Sequence, residues 1–439
     1  MTPPSAPPTA QAAAKAAVAF TAARAPFRPR QRFDVSSDIP RSFFLGHHHA
    51  GLARMKQTLA TVGLIIECRD FRVPITSWNP LLEQSLAPSF SSSSSSSSAS
   101  VYNPSDRQRI IVYTHRDLGP DEPARGAGSA ARRGATLSDV LFTSAAGGAA
   151  GTSGAGPLLS AIKDVARARD SLTGLRCLVV GMPNAGKSTL LNALRRRGMG
   201  AGAAKVAKTG AQPGVTRKLS SPVRIVPGED SAAAAAAAGS GRGVFLVDTP
   251  GVFIPYVTDP EKMLKLALVG CVRDGIVPRD ILADYLLYQL NRVRDFGVSS
   301  FSSSSSSSDA DAAAFSPPEE QDGQPPLYIA RLRLPGPTND VTEFLTAAAT
   351  RFGKLSKGGR PDLDAAAEWA VQEFRRGGLG KVLMDDVTPE ALARAADELA
   401  SMAAGEDGAP MSLSQARKRE KEARKARRLA RGGGIEEHE

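Results

Sequence analysis

The sequence predicts an α/β fold followed by a smaller all-helical unit, with low-complexity insertions and tails outside both. Three observations carry this. First, an apolar run at 177–180 leads into Gly181-Met182-Pro183-Asn184-Ala185-Gly186-Lys187-Ser188-Thr189, and residues 189–194 then read as the start of a helix. Second, another apolar run, 244–247, ends at Asp248-Thr249-Pro250-Gly251 about 60 residues later. Third, residues 261–269, 281–290 and 365–374 carry apolar side chains at helical spacing.

The first of these stretches has the pattern G-x-x-x-x-G-K-[ST] between a strand and a helix, which is the context a phosphate-binding loop requires. Backbone N–H groups within residues 182–189, Pro183 excepted, can close around phosphate oxygens at a helix N-terminus, where the dipole favours an anion. Lys187 would reach the β- and γ-phosphates, and Ser188 would offer its hydroxyl to Mg²⁺. Asp248, at the end of the second strand, would hold Mg²⁺ directly or through water, and the Gly251 N–H would sense the γ-phosphate. Between the two lies a Gly/Pro segment, residues 208–217, whose Thr216 is placed to meet Mg²⁺ or the γ-phosphate. Lys187, Thr216 and Gly251 are thus the catalytic candidates. Ser188, Thr216 and Asp248 are the metal candidates.

Upstream, Gly46-His47-His48-His49 opens a segment in which Leu52, Met55, Leu59 and Val62 recur at helical spacing. Adjacent histidines point in different directions and have no Cys or carboxylate nearby, so they do not make a metal site. A short strand at 64–66 and a Pro-broken loop ending Trp78-Asn79-Pro80 follow. The strand at 109–113 runs into Thr114-His115-Arg116-Asp117. An Asp at such a strand exit can accept from N1–H and the N2 amine of guanine, a two-point contact that adenine cannot make. It can equally be a turn residue capping a helix. Residues 140–145 read as a strand ending in the small Ser144 and Ala145, which lets backbone amides approach a base.

The ends and insertions are compositional features. The 439 residues carry a formal charge of +11, which points to a polyanionic partner. No acid precedes Asp34, while Lys15, Arg24, Arg28, Arg30 and Arg32 do, in an Ala-rich context. That is the composition of a mitochondrial transit peptide, or of an Ala/Pro-rich arm without structure. Polyserine at 91–98 and 302–308, polyalanine at 232–238 and a Gly/Ala stretch at 145–156 cannot bury a core. Cys68, Cys177 and Cys271 form no disulfide or zinc spacing, consistent with a reducing compartment. No apolar run approaches the ~20 residues of a membrane span. The expected organisation is 1–40 leader, 41–256 nucleotide domain, 257–400 helical domain and 401–439 basic tail. Residues 415–431 of that tail read either as an arm on RNA phosphates or as a solvated helix.

The order of the motifs resembles one family. Thr114–Asp117 and Ser144-Ala145 precede the phosphate loop, whereas ordinary small GTPases carry the equivalent segments after it. With Gly46-His47, Asp70-Phe71-Arg72-Val73-Pro74, Asn79-Pro80, Gln212-Pro213-Gly214-Val215-Thr216, Asp248-Thr249-Pro250-Gly251 and Gly377-Gly378-Leu379-Gly380-Lys381, the chain resembles the mitochondrial branch of the circularly permuted GTPases related to bacterial ribosome biogenesis GTPase A. The resemblance implies a circularly permuted P-loop GTPase domain followed by a helical domain that touches rRNA. It also implies GTP hydrolysis coupled to assembly of the mitochondrial large ribosomal subunit, in the matrix and peripherally on the inner membrane. GTP is the only small-molecule substrate it implies. Thr114, His115, Arg116, Asp117, Ser144 and Ala145 would then surround the base.

Two departures have chemical consequences. His115 stands where the family's lysine covers the base and braces the phosphate loop; an imidazole stacks on guanine but braces less. Val252 follows Gly251 where Ras-type enzymes carry the glutamine that orients water, an apolar replacement the family shares. Slow intrinsic hydrolysis, stimulated by a ribosomal partner or by K⁺ at Asn184, is therefore expected. The alternatives are a nucleotide-binding ribosome scaffold with little hydrolysis and a cytosolic or nucleolar permuted GTPase.

Overall fold

The computed structural model describes residues 27–36, 39–40, 46–86, 108–120, 140–143, 154–169, 173–200, 202–207, 210, 219–228, 243–254, 257, 259–292 and 326–404. The low-complexity tracts, the residues before 27 and the basic tail from 405 lie outside them.

Among the described residues, six strands form one sheet: β1 (Leu64–Asp70), β2 (Gln108–Thr114), β3 (Val140–Phe142), β4 (Leu175–Gly181), β5 (Val223–Val226) and β6 (Val244–Asp248). Their order is β3-β2-β1-β4-β6-β5, and only β5 runs antiparallel. β1 lies between β2 and β4, with Ile66 paired to both Ile110 and Val179. Both of its faces are covered, so its residues are all buried. One face packs under α3 (Ala155–Arg169) and α4 (Lys187–Met199) through Leu158, Ile162, Leu190 and Leu194. The other carries Met55 and Leu59 of α1 (Gly46–Leu59) and Leu82 of α2 (Pro80–Leu86).

β1 is twice as long as its apolar core suggests. Its outer half contains Glu67 and Arg69, whose charges conceal a strand from hydropathy reading. Both are buried and paired: Arg69 Nε donates to Glu67 Oε1 at 2.6 Å, and Arg109 bridges Glu67 and Glu83. Burial alone would raise the Glu67 carboxyl, but Arg69 and Arg109 overcome it and hold it at about 2.

The helical unit comprises α5 (Pro260–Leu268), α6 (Arg279–Arg292), α7 (Leu327–Leu332), α8 (Val341–Arg351), α9 (Leu363–Arg375) and α10 (Pro389–Ala404). Asp259, Asp340 and Asp362 cap α5, α8 and α9 by accepting from Glu261 N, Thr342 N and Ala365 N.

Two expectations about domain limits need correction. The basic tail does not begin at 401, since α10 runs to Ala404. More consequentially, the leader does not extend to 40. Phe33 and Ile39 are buried in the helical core, the Phe33 ring meeting Tyr285 edge-on at 5.1 Å. Arg30 pairs with Asp284 at 2.6 Å, and Tyr288 and Asn339 donate to the Gln31 and Arg28 carbonyls. Arginine-rich composition hid this strap, because isolated apolar residues such as Phe33 and Ile39 carry no periodicity. Truncation of Phe33 to Ala should destabilise the protein by roughly 3 kcal/mol in urea unfolding, as loss of a buried ring requires. A midpoint equal to that of the wild type would mean that the strap adds nothing to the core.

Candidate nucleotide site

Parallel strands present their carboxyl ends on one edge, and the motifs lie there: Asp70 ends β1, Thr114 ends β2, Gly181 ends β4 and Asp248 ends β6. The guanine-type segment thus comes before the phosphate loop in the chain but beside it in space, which is the permuted arrangement.

The loop from Gly181 to Gly186 takes left-handed backbone at Asn184 (φ 56°) and Gly186 (φ 73°) before α4 begins at Lys187. Lys187 is buried, and its Nζ donates to Gly181 O at 3.2 Å and Met182 O at 2.6 Å. Burial lowers its pKa, and Asp248 opposes that. Ser188 Oγ donates to Asp248 Oδ2 at 2.6 Å, while the buried Asp248 Oδ1 has no hydrogen-bond partner among the described residues. Burial pushes the Asp248 carboxyl up, against Lys187 and Ser188. Two oxygens of a hydroxyl–carboxylate pair, one of them unsatisfied, suit a hard divalent cation, so the residues fit Mg²⁺. Thr189 is exposed at the helix start.

Gly251 is pressed against the loop. A Cβ there would stand 2.5 Å from Pro183 Cα and 2.6 Å from its N, so only glycine permits this approach. Val252 N donates to Gly181 O at 3.2 Å, and Asn79 Nδ2 donates to Val252 O at 2.8 Å. Asn79 also accepts from Leu81 N at the start of α2, which gives the Asn79-Pro80 motif a role that its sequence did not reveal. The Val252 side chain is buried in the apolar cluster that includes Met55, Leu59, Leu82 and Val180.

Beyond the end of β2, Asp117 sits in the short 3₁₀ turn Arg116–Leu118. The helix-capping alternative fails here, because the N-cap position is His115 and no side-chain cap bond forms. Instead, Asp117 Oδ1 is buried with no hydrogen-bond partner among the described residues. Arg116 N donates to Thr143 O at 3.1 Å, and its guanidinium lies 4.6 Å from the Phe71 ring centroid. Thr143 therefore brings the end of β3 to this turn; Ser144 and Ala145 follow it and lie outside the described residues, as does Thr216.

His115 has a partner that sequence reasoning missed. Its Nδ1 lies 3.3 Å from Asp70 Oδ2 and 3.2 Å from Thr114 Oγ1. A Cβ on Gly186 would stand 3.6 Å from its Cε1, so the ring edges the phosphate loop. Thr114 Oγ1 also reaches Ala185 O at 3.2 Å. Burial would raise Asp70, but Arg72, followed by His115, holds its carboxyl well below the usual carboxylate range. The only sequence signal for this pairing was the recurrence of acidic and basic residues in Asp70-Phe71-Arg72.

The helical unit contacts the phosphate loop and the turn that follows β1. Asn184 Nδ2 donates to Gly270 O at 2.7 Å, and Met182 is part of the helical core. Asp385 Oδ2 accepts from Ile75 N and Thr76 N, and its Oδ1 accepts from Thr76 Oγ1. Leu379, in the Gly377–Lys381 stretch, is buried, and a Cβ on Gly377 would meet Leu118 at 2.9 Å.

The family described as 50S ribosome-binding GTPase matches residues 176–283. Mitochondrial GTPase 1 of Schizosaccharomyces japonicus is 30% identical over 367 residues, 80% of this chain and 91% of the relative. The Schizosaccharomyces pombe protein of the same name is 30% identical over 376 residues, 82% and 94% of the two chains. Mitochondrial ribosome-associated GTPase 1 of Xenopus tropicalis is 27% identical over 370 residues, 81% and 98%. Among solved structures, GNP-bound YlqF from T. maritima aligns with a TM-score of 0.40 at 18% identity, covering 76% of this chain and 97% of that one. With its phosphate loop, Asp248–Gly251 segment and permuted strand order, this chain belongs to the mitochondrial GTPase 1 family and is a GTP-hydrolysing enzyme.

Proposed function

We propose that this GTPase is a nucleotide-driven switch in assembly of the mitochondrial large ribosomal subunit, and so supports mitochondrial translation. The observation that carries this reading is the seating of Gly251 on Pro183, within a loop whose Met182 and Asn184 are anchored in the helical unit. A change at the γ-phosphate would displace Gly251 and, through the loop, the helices that meet rRNA.

Each residue has a task in this reading. Asp117 selects guanine, with Thr114, Arg116, Ser144 and Ala145 around the base and His115 between the base and the phosphate loop. Lys187 neutralises phosphate charge as it shifts. Ser188, Asp248 and Thr216 would hold Mg²⁺, which would offset the negative charge of the phosphates. The core-packed Val252 orients no water, so intrinsic hydrolysis is slow. Asn184 would hold K⁺ through its side-chain oxygen, since its nitrogen is engaged by Gly270. Equal hydrolysis rates in NaCl and KCl would remove that cation from the account.

The relatives' names and the acid-free N-terminus support a mitochondrial location, with processing upstream of Arg28 because Phe33 belongs to the core. Contact with the inner membrane would be peripheral; among the described residues no helix is long and apolar enough to cross a membrane. The core position of Val252 also favours a second reading, a scaffold that binds nucleotide without hydrolysing it efficiently. Cosedimentation with mitochondrial large subunits separates the two. Binding with a non-hydrolysable GTP analogue, but not with GDP, is the expected result. Binding indifferent to nucleotide would replace the switch by the scaffold, and no binding would reject a ribosomal partner.

A further inference from the structure

Between α8 and α9 the chain forms a tight turn, Lys354-Leu355-Ser356-Lys357-Gly358-Gly359-Arg360-Pro361-Asp362. It is rigidly built. Leu355 and Pro361 form an antiparallel bridge, Asp362 N donates to Lys354 O at 2.9 Å, and Ser356 N donates to Arg360 O at 2.8 Å. Its base is fixed by the Phe352 ring stacked on Trp369 at 4.0 Å. The tip glycines, Gly358 (φ 92°) and Gly359 (φ 75°), take left-handed backbone, and a Cβ on either would meet nothing within 4 Å. They serve the turn's shape rather than its packing, and leave the tip open to approach.

Arg273, Arg292, Arg333, Arg376 and Arg394 of the helical unit have no ion pair among the described residues, but they are scattered, whereas this turn gathers four such cations within ten residues. Lys262, Lys265, Arg279, Arg331 and Arg375 are all paired with carboxylates. Arg351, Lys354, Lys357 and Arg360 have no ion pair among the described residues, and the local carboxylate, Asp362, is used to cap α9. Leu355, 48% exposed, stands among them. Four unneutralised cations on a preformed, glycine-tipped turn cost less entropy to dock than cations on a flexible tail. Their charge complements a polyphosphate backbone, whose condensed counterions they would release.

We propose that residues 351–360 form a phosphodiester-binding finger that grips an RNA backbone without reading its bases. This rests on the ribosomal reading for the origin of the RNA, and adds to it a structured contact separate from the tail at 415–431. The test uses the full chain and a generic 16-base-pair RNA hairpin, with affinity measured from 50 to 250 mM salt. The triple variant Lys354→Gln, Lys357→Gln, Arg360→Gln should lower the slope of log affinity against log salt by roughly 2 and weaken binding at least tenfold at 100 mM. The charge-retaining variant Lys354→Arg, Lys357→Arg, Arg360→Lys should keep the wild-type slope. An unchanged slope in the glutamine variant overturns the finger, as does loss of binding only to anionic phospholipid vesicles run in parallel. Hydrolysis without ribosomes and the unfolding midpoint should match wild type for both variants. The ribosomal reading is judged separately by nucleotide-dependent cosedimentation, which free RNA does not probe.

Discussion

Asp117→Ala is expected to weaken GDP binding about a thousandfold while leaving the fold intact. The buried Asp117 Oδ1 lacks a hydrogen-bond partner among the described residues, so the protein already bears the cost of desolvating it. In the proposed site, guanine would supply two donors to that carboxylate. Two charge-assisted hydrogen bonds at about 2 kcal/mol each give about 4 kcal/mol, which is the thousandfold. The fold should not suffer, because the side chain caps no helix and the turn is held by backbone bonds from Leu118 N to His115 O and from Arg116 N to Thr143 O. Asp117→Asn should go further and turn preference toward xanthine, whose 2-oxo group can accept from the new amide. Displacement of a fluorescent GDP by GDP and XDP reads both effects. A GDP affinity within threefold of wild type in the alanine variant would remove Asp117 from the guanine site.

The second large effect falls on hydrolysis. Gly251→Ala should slow single-turnover hydrolysis on the order of a hundredfold, with GDP affinity changed by less than fivefold. The added methyl would lie 2.5 Å from Pro183 Cα, and backbone cannot yield as a side-chain tip does. Either the Asp248–Gly251 segment lifts away or the phosphate loop deforms. A displacement near 1 Å between reacting groups is enough for that loss. GDP, which has no γ-phosphate, would be spared most of it. A hydrolysis rate within threefold of wild type would show that the close approach has no part in the chemistry.

Much of the architecture was legible because motif and element reinforce each other. Strand-to-loop-to-helix around Lys187, an apolar strand ending at Asp248 and helices over 260–268, 279–292 and 363–375 all followed from period and punctuation. What escaped had two physical causes. Buried charges imitate surface, so the Glu67-Cys68-Arg69-Asp70 half of β1 and the Asp70–His115 pairing carried no hydropathy signal. Short segments hold too few residues to display a period, which concealed β5, where Val223, Ile225 and Val226 are buried, and the strap that buries Phe33 and Ile39. The site itself divided similarly. Residue types at Lys187, Ser188, Asp248 and Asp117 announced their chemistry, whereas Asn79 and Asp385 act by satisfying backbone groups on elements remote in the chain.

The bond from Asn184 to Gly270, together with Met182 in the helical core, bears on how the molecule can be handled. A shortened catalytic fragment ending near residue 256 would expose the underside of its own phosphate loop, strip Met182 of its packing and leave Asp385 unavailable to hold the turn at Ile75 and Thr76. The phosphate loop and the helical core share side chains and cannot be separated without breaking those contacts. Any preparation meant to report its turnover has to retain the chain from the strap at Arg28 through Asp385.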